Sequence, residues 1–291
     1  MPGQEPAPAP KGGRYFDRPM LARHADASRF LWGDEESHHV SDLIYGRGDR
    51  ISSVTFALSP GGYFKASKAW KPLYDQHRFY YVVEGTLAIH DPERGEIAVA
   101  GAGEAIYWRG VKWHFGYNFG STETLVLDWY APPERAPHVA ELEFGKTKPE
   151  LKSVVNGRYE LLGQWPAALP ETRDKLLREG GVVTIAGRDA LHLIAGDGRP
   201  TLVSLYISTD VMTAGTVELL PGRRTEPETH PGDEVLYVTH GRLHVYLPDT
   251  GDWFEANAKD SVFLPEGTKH EYWNYGDQRV AFAFAVSPRY R

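Results

Sequence analysis

The chain has 291 residues and no cysteine, a length that allows two domains of roughly 100 to 150 residues and a composition that excludes disulfides and thiolate ligands. Its formal net charge is -7 with no concentrated basic face, which argues against nucleic acid as a partner; no run approaches the roughly 18 apolar residues of a membrane span. Thirty glycines and twenty-one prolines, set among many Tyr, Phe, Trp and Val residues, favour a turn-rich all-β architecture.

Met1 to Pro10 lacks the basic and apolar regions of a signal peptide and reads as a flexible tail, so a cytoplasmic location is the default expectation. Tyr15 to Asp34 is mixed, with Leu31-Trp32 as an edge or latch. His38 and His39 stand in a polar run beside Asp34, Glu35 and Glu36; as neighbours in an extended chain they face opposite ways, and the reading here is a solvated loop. From Ile51 onward, short apolar runs bounded by turns predict strands at Val54–Leu58, Phe79–Val83, Leu87–Ile89, Glu104–Trp108 and Thr124–Trp129. Ala131 to Pro137 is a stiff proline-rich exit, and Pro170 to Glu179, followed by Gly180-Gly181, predicts a short helix. Strands resume through Val182 to Leu220, most clearly at Leu202–Ile207.

The two halves share one register. Gly85 and Gly241, Pro92 and Pro248, Gly95 and Gly251, His114 and His270, and Asn118 and Asn274 are all identical at a constant offset, 241 minus 85 being 156. A register held across several strands and turns marks a duplicated domain.

The later copy carries a cluster that the earlier one lacks. In extended chain Glu228 and His230 project from one face, with Glu226 at the same parity. The Pro231-Gly232-Asp233 turn returns Glu234 toward them, and His270 follows a second Pro-x-Gly turn. Two imidazoles and two carboxylates suit one divalent first-row metal, and that cation would offset the cost of burying two carboxylates. Opposite Glu228, His230 and Glu234 the first copy has Pro72, Tyr74 and Arg78. Only His114 remains there, so that copy is expected to be structural or to bind something organic with Arg78 and His114; His77 would need a bulge to join them.

These spacings resemble the two signature motifs of the cupin superfamily, with Gly222, His230, Glu234 and Gly241 matching the first and Pro265, Gly267, His270 and Asn274 the second. Glu228 stands where the first motif has a histidine, and Lys259 where the second has its opening glycine. A similar Glu-for-His exchange occurs in a two-cupin manganese aminohydrolase. The resemblance implies two tandem jelly-roll barrels with a short connecting helix: a flexible tail and latch at 1–40, a degenerate barrel at 41–135, a linker at 136–200 and a metal-binding barrel at 201–291. It also implies Glu228, His230, Glu234 and His270 as ligands of one transition metal, iron or manganese ahead of nickel or zinc, and a homodimer, since cupin-like proteins often dimerise.

Around that centre Glu226 is read as a fifth ligand or general base, because a carboxylate crowded by others has a raised pKa. Arg223 and Lys269 are candidates for holding an anionic substrate, and Tyr272 for lining its pocket. The expected function is a metal-dependent enzyme acting on a small oxygen-rich molecule, with a dioxygenase first. A redox-free isomerase, lyase or hydrolase and a non-catalytic binding module are the alternatives.

Overall fold

The β-branched and aromatic runs form strands throughout the computed structural model, which describes residues 14–68, 70, 72–132 and 181–291. Among these residues the helical segments are two 3-10 turns, His24–Asp26 and Gly187–Asp189, and the fold is all-β. The tail at Met1 to Pro10, the proline-rich exit beyond Pro132 and the helix expected at Pro170 to Glu179 fall outside the described residues.

The duplicated register recurs strand by strand. His77–Glu84 corresponds to Asp233–His240, Thr86–Asp91 to Arg242–Leu247, Ala105–Trp108 to Ser261–Leu264 and Thr124–Ala131 to Val280–Ser287, each 156 positions later, as 233 minus 77. Each copy sets a large sheet, antiparallel except for the parallel pairing of Arg14–Tyr15 with His38–Arg47, against a smaller one, and the apolar inner faces meet between them.

Both faces of the central strand Asp233–His240 are buried, which is why it reads as a continuous apolar run. Val235 and Tyr237 enter the core between the barrels, while Leu236 and Val238 enter the core of the second barrel. Alternation therefore puts Glu234 at the barrel-interior end of the same strand, where it is 2 % exposed.

The barrels exchange strands. Met20–Ala22 pairs with Ser261–Leu264 of the second barrel, and Val183–Ile185 pairs with Ala105–Trp108 of the first. The domain boundaries expected at 40 and 200 differ accordingly: residues from Arg14 on are built into both large sheets, and the described end of the expected linker supplies strands to both barrels. Three-residue strands are too short to show a period, yet each covers a sheet edge that would otherwise expose unpaired N–H and C=O groups.

The contact between the barrels follows a pseudo-two-fold axis. Tyr45 Oη donates to Lys259 O at 2.7 Å, and Tyr206 Oη donates to Gly103 O at 2.8 Å. The Tyr45–Tyr237 rings lie 5.9 Å apart at 82° and the Tyr206–Tyr81 rings 5.8 Å apart at 87°. Lys259 with Gly103, and Tyr237 with Tyr81, are again equivalent positions, so the two halves meet as an isologous pair within one chain. His77, which a bulge was needed to bring to His114, instead contacts Tyr107 Oη at 2.7 Å on this interface. His38 and His39 are exposed, as a solvated position requires, but begin the strand His38–Arg47.

Lys259 holds φ 75° at the position where the first copy has Gly103 at φ 82°. A side chain in the left-handed region costs about 1–2 kcal/mol. Lys259→Gly is expected to raise the unfolding temperature by a few degrees and Lys259→Val to lower it, as measured by thermal denaturation.

Candidate metal centre

The ligand set assembles from two hairpin-like approaches. Glu228 and His270 form an isolated antiparallel bridge, with Glu228 N donating to His270 O at 2.9 Å and His270 N to Glu228 O at 3.0 Å. Two residues on, His230 O accepts from Gly267 N at 3.0 Å. The chain then turns through Gly232, where a Cβ would stand 2.5 Å from Ser287 O, and enters the strand that carries Glu234.

Both imidazoles are fixed by their outer nitrogens. His230 Nδ1 donates to Tyr290 O at 2.9 Å and His270 Nδ1 to Thr268 O at 2.9 Å, which leaves each Nε2 as an acceptor directed inward. His230 Nε2 lies 3.5 Å and His270 Nε2 3.3 Å from Glu234 Oε2, and His270 Nε2 lies 4.0 Å from Glu228 Oε1. The donor atoms of Glu228, His230 and His270 all fall within 4.8 Å of one another.

Nε2 of both histidines and Oε2 of Glu234 are buried without a hydrogen-bond partner. With Glu234 ionised these are three converging lone-pair donors that offer one another no hydrogen, an arrangement that fits a cation, and these residues would hold it. Burial pushes His230 down to about 4; burial and the adjacent His230 push His270 down to about 3. Both are therefore neutral, ligand-competent imidazoles at neutral pH. Burial raises Glu228, and burial with the nearby Glu228 charge holds Glu234 well above the usual carboxylate range.

A cavity of about 170 Å³ opens onto the donors, with Glu228, His230 and Tyr272 on its wall among Val203, Val217, Thr201 and Thr225. The segment after the last strand closes one side: the Tyr290 ring stacks on His230 with centroids 4.5 Å apart, and its hydroxyl donates to Glu228 Oε2 at 3.4 Å. Sequence reasoning missed Tyr290 and its neighbour Arg291, which lines the cavity. They lie about 60 residues from His230, outside both motifs, and their only signal was an aromatic and basic ending to an apolar strand.

Residues 215–286, which include the whole donor set, match the Cupin domain family. Polyketide synthase CurC of Streptomyces cyaneus is 31% identical over 94 residues, 32% of this chain and 60% of that relative, so the chain spans under two thirds of it. Across both barrels, an oxalate decarboxylase of Bacillus subtilis, described with Mn(II) centres, superposes with a TM-score of 0.63 at 14% identity, covering 97% of this chain and 80% of that one. AerE from Microcystis aeruginosa gives 0.58 at 9% identity, covering 90% and 97%. At such identities the solved structures speak for the fold alone. The family match thus rests on the second barrel, and the chain as a whole shares the two-barrel fold of these solved structures.

In the first barrel the equivalent interior is lined by the protein's own side chains. Arg78, at the position of Glu234, pairs with buried Asp128 at 2.8 Å and donates to Tyr80 Oη and Gln76 Oε1, each at 3.2 Å. Its guanidinium lies 4.4 and 4.7 Å from the centres of the Tyr74 and Tyr130 rings. His114 is enclosed by Phe64, Tyr74, Tyr80 and Trp108. Around Arg78 and His114, where an N-terminal pocket was expected, the ion pair and the packed rings engage both residues with the protein's own side chains.

Three further expectations are corrected by the second barrel. Glu226 lies on the cavity wall, but its carboxylate accepts the backbone N–H groups of Asp197, Gly198 and Arg199. Those bonds, that of Gly198 first, lower its pKa instead of raising it, so it anchors a loop and is poorly suited to be a base. Arg223 and Lys269 are exposed and absent from the cavity wall, because their positions in the turns point them outward. Arg224 stacks on Trp273 at 4.3 Å.

Glu234→Ala or His270→Ala is expected to cut bound transition metal from about one equivalent to below about a tenth, and His114→Ala to leave it unchanged, by elemental analysis. With both histidines already neutral above about pH 4, the pH dependence of metal affinity above that point belongs to the raised carboxylates. Affinity should rise with pH as they lose protons, and Glu234→Gln should flatten that slope in titrations of metal-free protein.

Proposed function

We propose that the second barrel is a single-metal enzyme site acting on a small, oxygen-rich organic molecule, with dioxygenation as the reaction. The observation that carries this reading is the convergence of Glu228, His230 and His270, because two histidines and one carboxylate with open positions form the donor set of non-haem iron oxygenases. Iron or manganese is the favoured ion; nickel and zinc accept the same donors. A metal bound there would polarise substrate oxygen atoms and, if redox-active, exchange electrons with substrate and dioxygen.

The protein's own residues prepare that chemistry. The carbonyls of Tyr290 and Thr268 hold the imidazoles in one tautomer, so no proton has to move before a ligand binds. Tyr290 Oη orients Glu228, and Val203 and Val217 give the cavity a dry wall that strengthens electrostatic contacts within it. Tyr272, whose hydroxyl is buried beside Glu234, faces any molecule placed there.

Glu234 favours a second reading. Its carboxylate reaches both imidazoles, and a set of two carboxylates also suits redox-free Lewis-acid chemistry in a lyase, isomerase or hydrolase. Oxygen uptake separates the two. With iron- or manganese-loaded protein and a panel of small hydroxy and keto acids, dioxygenation consumes oxygen in step with substrate; equal turnover under air and argon removes that reaction and leaves the Lewis-acid reading.

A further inference from the structure

Among the described residues, the cavity above the donors has one arginine and no lysine on its wall, Arg291. Among the described residues its guanidinium makes no ion pair within 4.0 Å and no side-chain hydrogen bond; it lies 5.5 Å from the centre of the Tyr290 ring and close enough to Glu228 to act on that carboxylate through space. The other basic groups nearby are committed or remote: Arg199 pairs with Glu271 at 3.0 Å, Arg224 stacks on Trp273, and Arg223 and Lys269 lie off the wall. The segment that carries Arg291 is itself fixed to the centre, since the preceding residue accepts from His230, stacks on its ring and donates to Glu228.

We infer that Arg291 anchors a substrate bearing one negative charge, a carboxylate or enolate, with its charged end between the guanidinium and the metal donors. This rests on the metal-centre reading above. A divalent ion held by ionised Glu228 and Glu234 would take up their charge, leaving the guanidinium to pair with one negative charge on an incoming molecule. Charge-assisted bonds from arginine to carboxylate are directional and stronger than neutral ones. Arg291 also borders a second cavity of about 380 Å³, lined by Leu193, Leu205, Thr213 and Arg289. A substrate with an anionic head at the donors therefore has a half-apolar space beside it for a larger body.

The test uses the full chain loaded with Mn(II) and two probes of similar size, glycolate and neutral glycolamide, followed by calorimetry. Glycolate is expected to bind wild-type protein; Arg291→Gln should weaken it roughly tenfold, with Arg291→Lys recovering part of the loss. Glycolamide binding and Mn(II) content should not change in either variant, and Arg289→Gln, which touches only the second cavity, should leave glycolate unaffected. Absence of glycolate binding to Mn(II)-loaded wild-type protein, an unchanged affinity in Arg291→Gln, or an equal loss for glycolamide overturns the assignment. Wild-type protein that takes up no Mn(II), iron, nickel or zinc instead overturns the metal-centre reading on which it rests.

Discussion

Two carboxylates set side by side in a dry barrel are the constraint from which the rest of the second domain follows. Moving such groups out of water costs several kcal/mol each unless a counter-charge is present. Glu234 is 2 % exposed and faces imidazoles that burial keeps neutral, so the protein itself supplies no compensating charge at that point. Every nearby device keeps lone pairs directed at one place: the two backbone carbonyls that bind Nδ1 of His230 and His270, the Tyr290 hydroxyl on Glu228, and the bridge that ties Glu228 to His270. A site built this way stores an electrostatic deficit that a divalent cation removes.

The first barrel resolves the same interior in the opposite way. Arg78 brings a permanent charge and Asp128 its partner, where the second copy has Glu234 and Phe284; four aromatic rings close around His114. What the copies retain in common serves folding. Asn118 and Asn274 each donate from Nδ2 to carbonyls across the same loop and accept a glycine N–H at Oδ1. Gly85 and Gly241 hold φ 79° and 77° in turns where a Cβ would stand 2.6 Å from a backbone oxygen. Duplication kept the frame twice and the donor set once.

The two barrels are also mutually dependent. Each lends a three-residue strand to the edge of the other, and the matching tyrosine pairs lie on the shared core. This leaves Asp233–His240 buried on both sides, one toward the other barrel and one toward the metal donors. The site thus stands on a strand that cannot shift without disturbing both cores, which favours the fixed geometry that ligand binding needs.

Local sequence by itself determined the all-β class, the duplication and the identity of the convergent residues, because strand periodicity, turn residues and motif spacing are short-range properties. Glu228, His230, Glu234 and His270 were legible for that reason, as was the loss of three of their equivalents from the first copy. Only the tertiary structure decided what surrounds them. The exchanged strands, the Asp128 partner of Arg78, the turn of Glu226 toward the 197–199 amides and the return of Tyr290 and Arg291 over the cavity all join residues distant in the chain. Such contacts depend on where two sheets and a terminal segment meet in space, and no local period or spacing encodes that meeting.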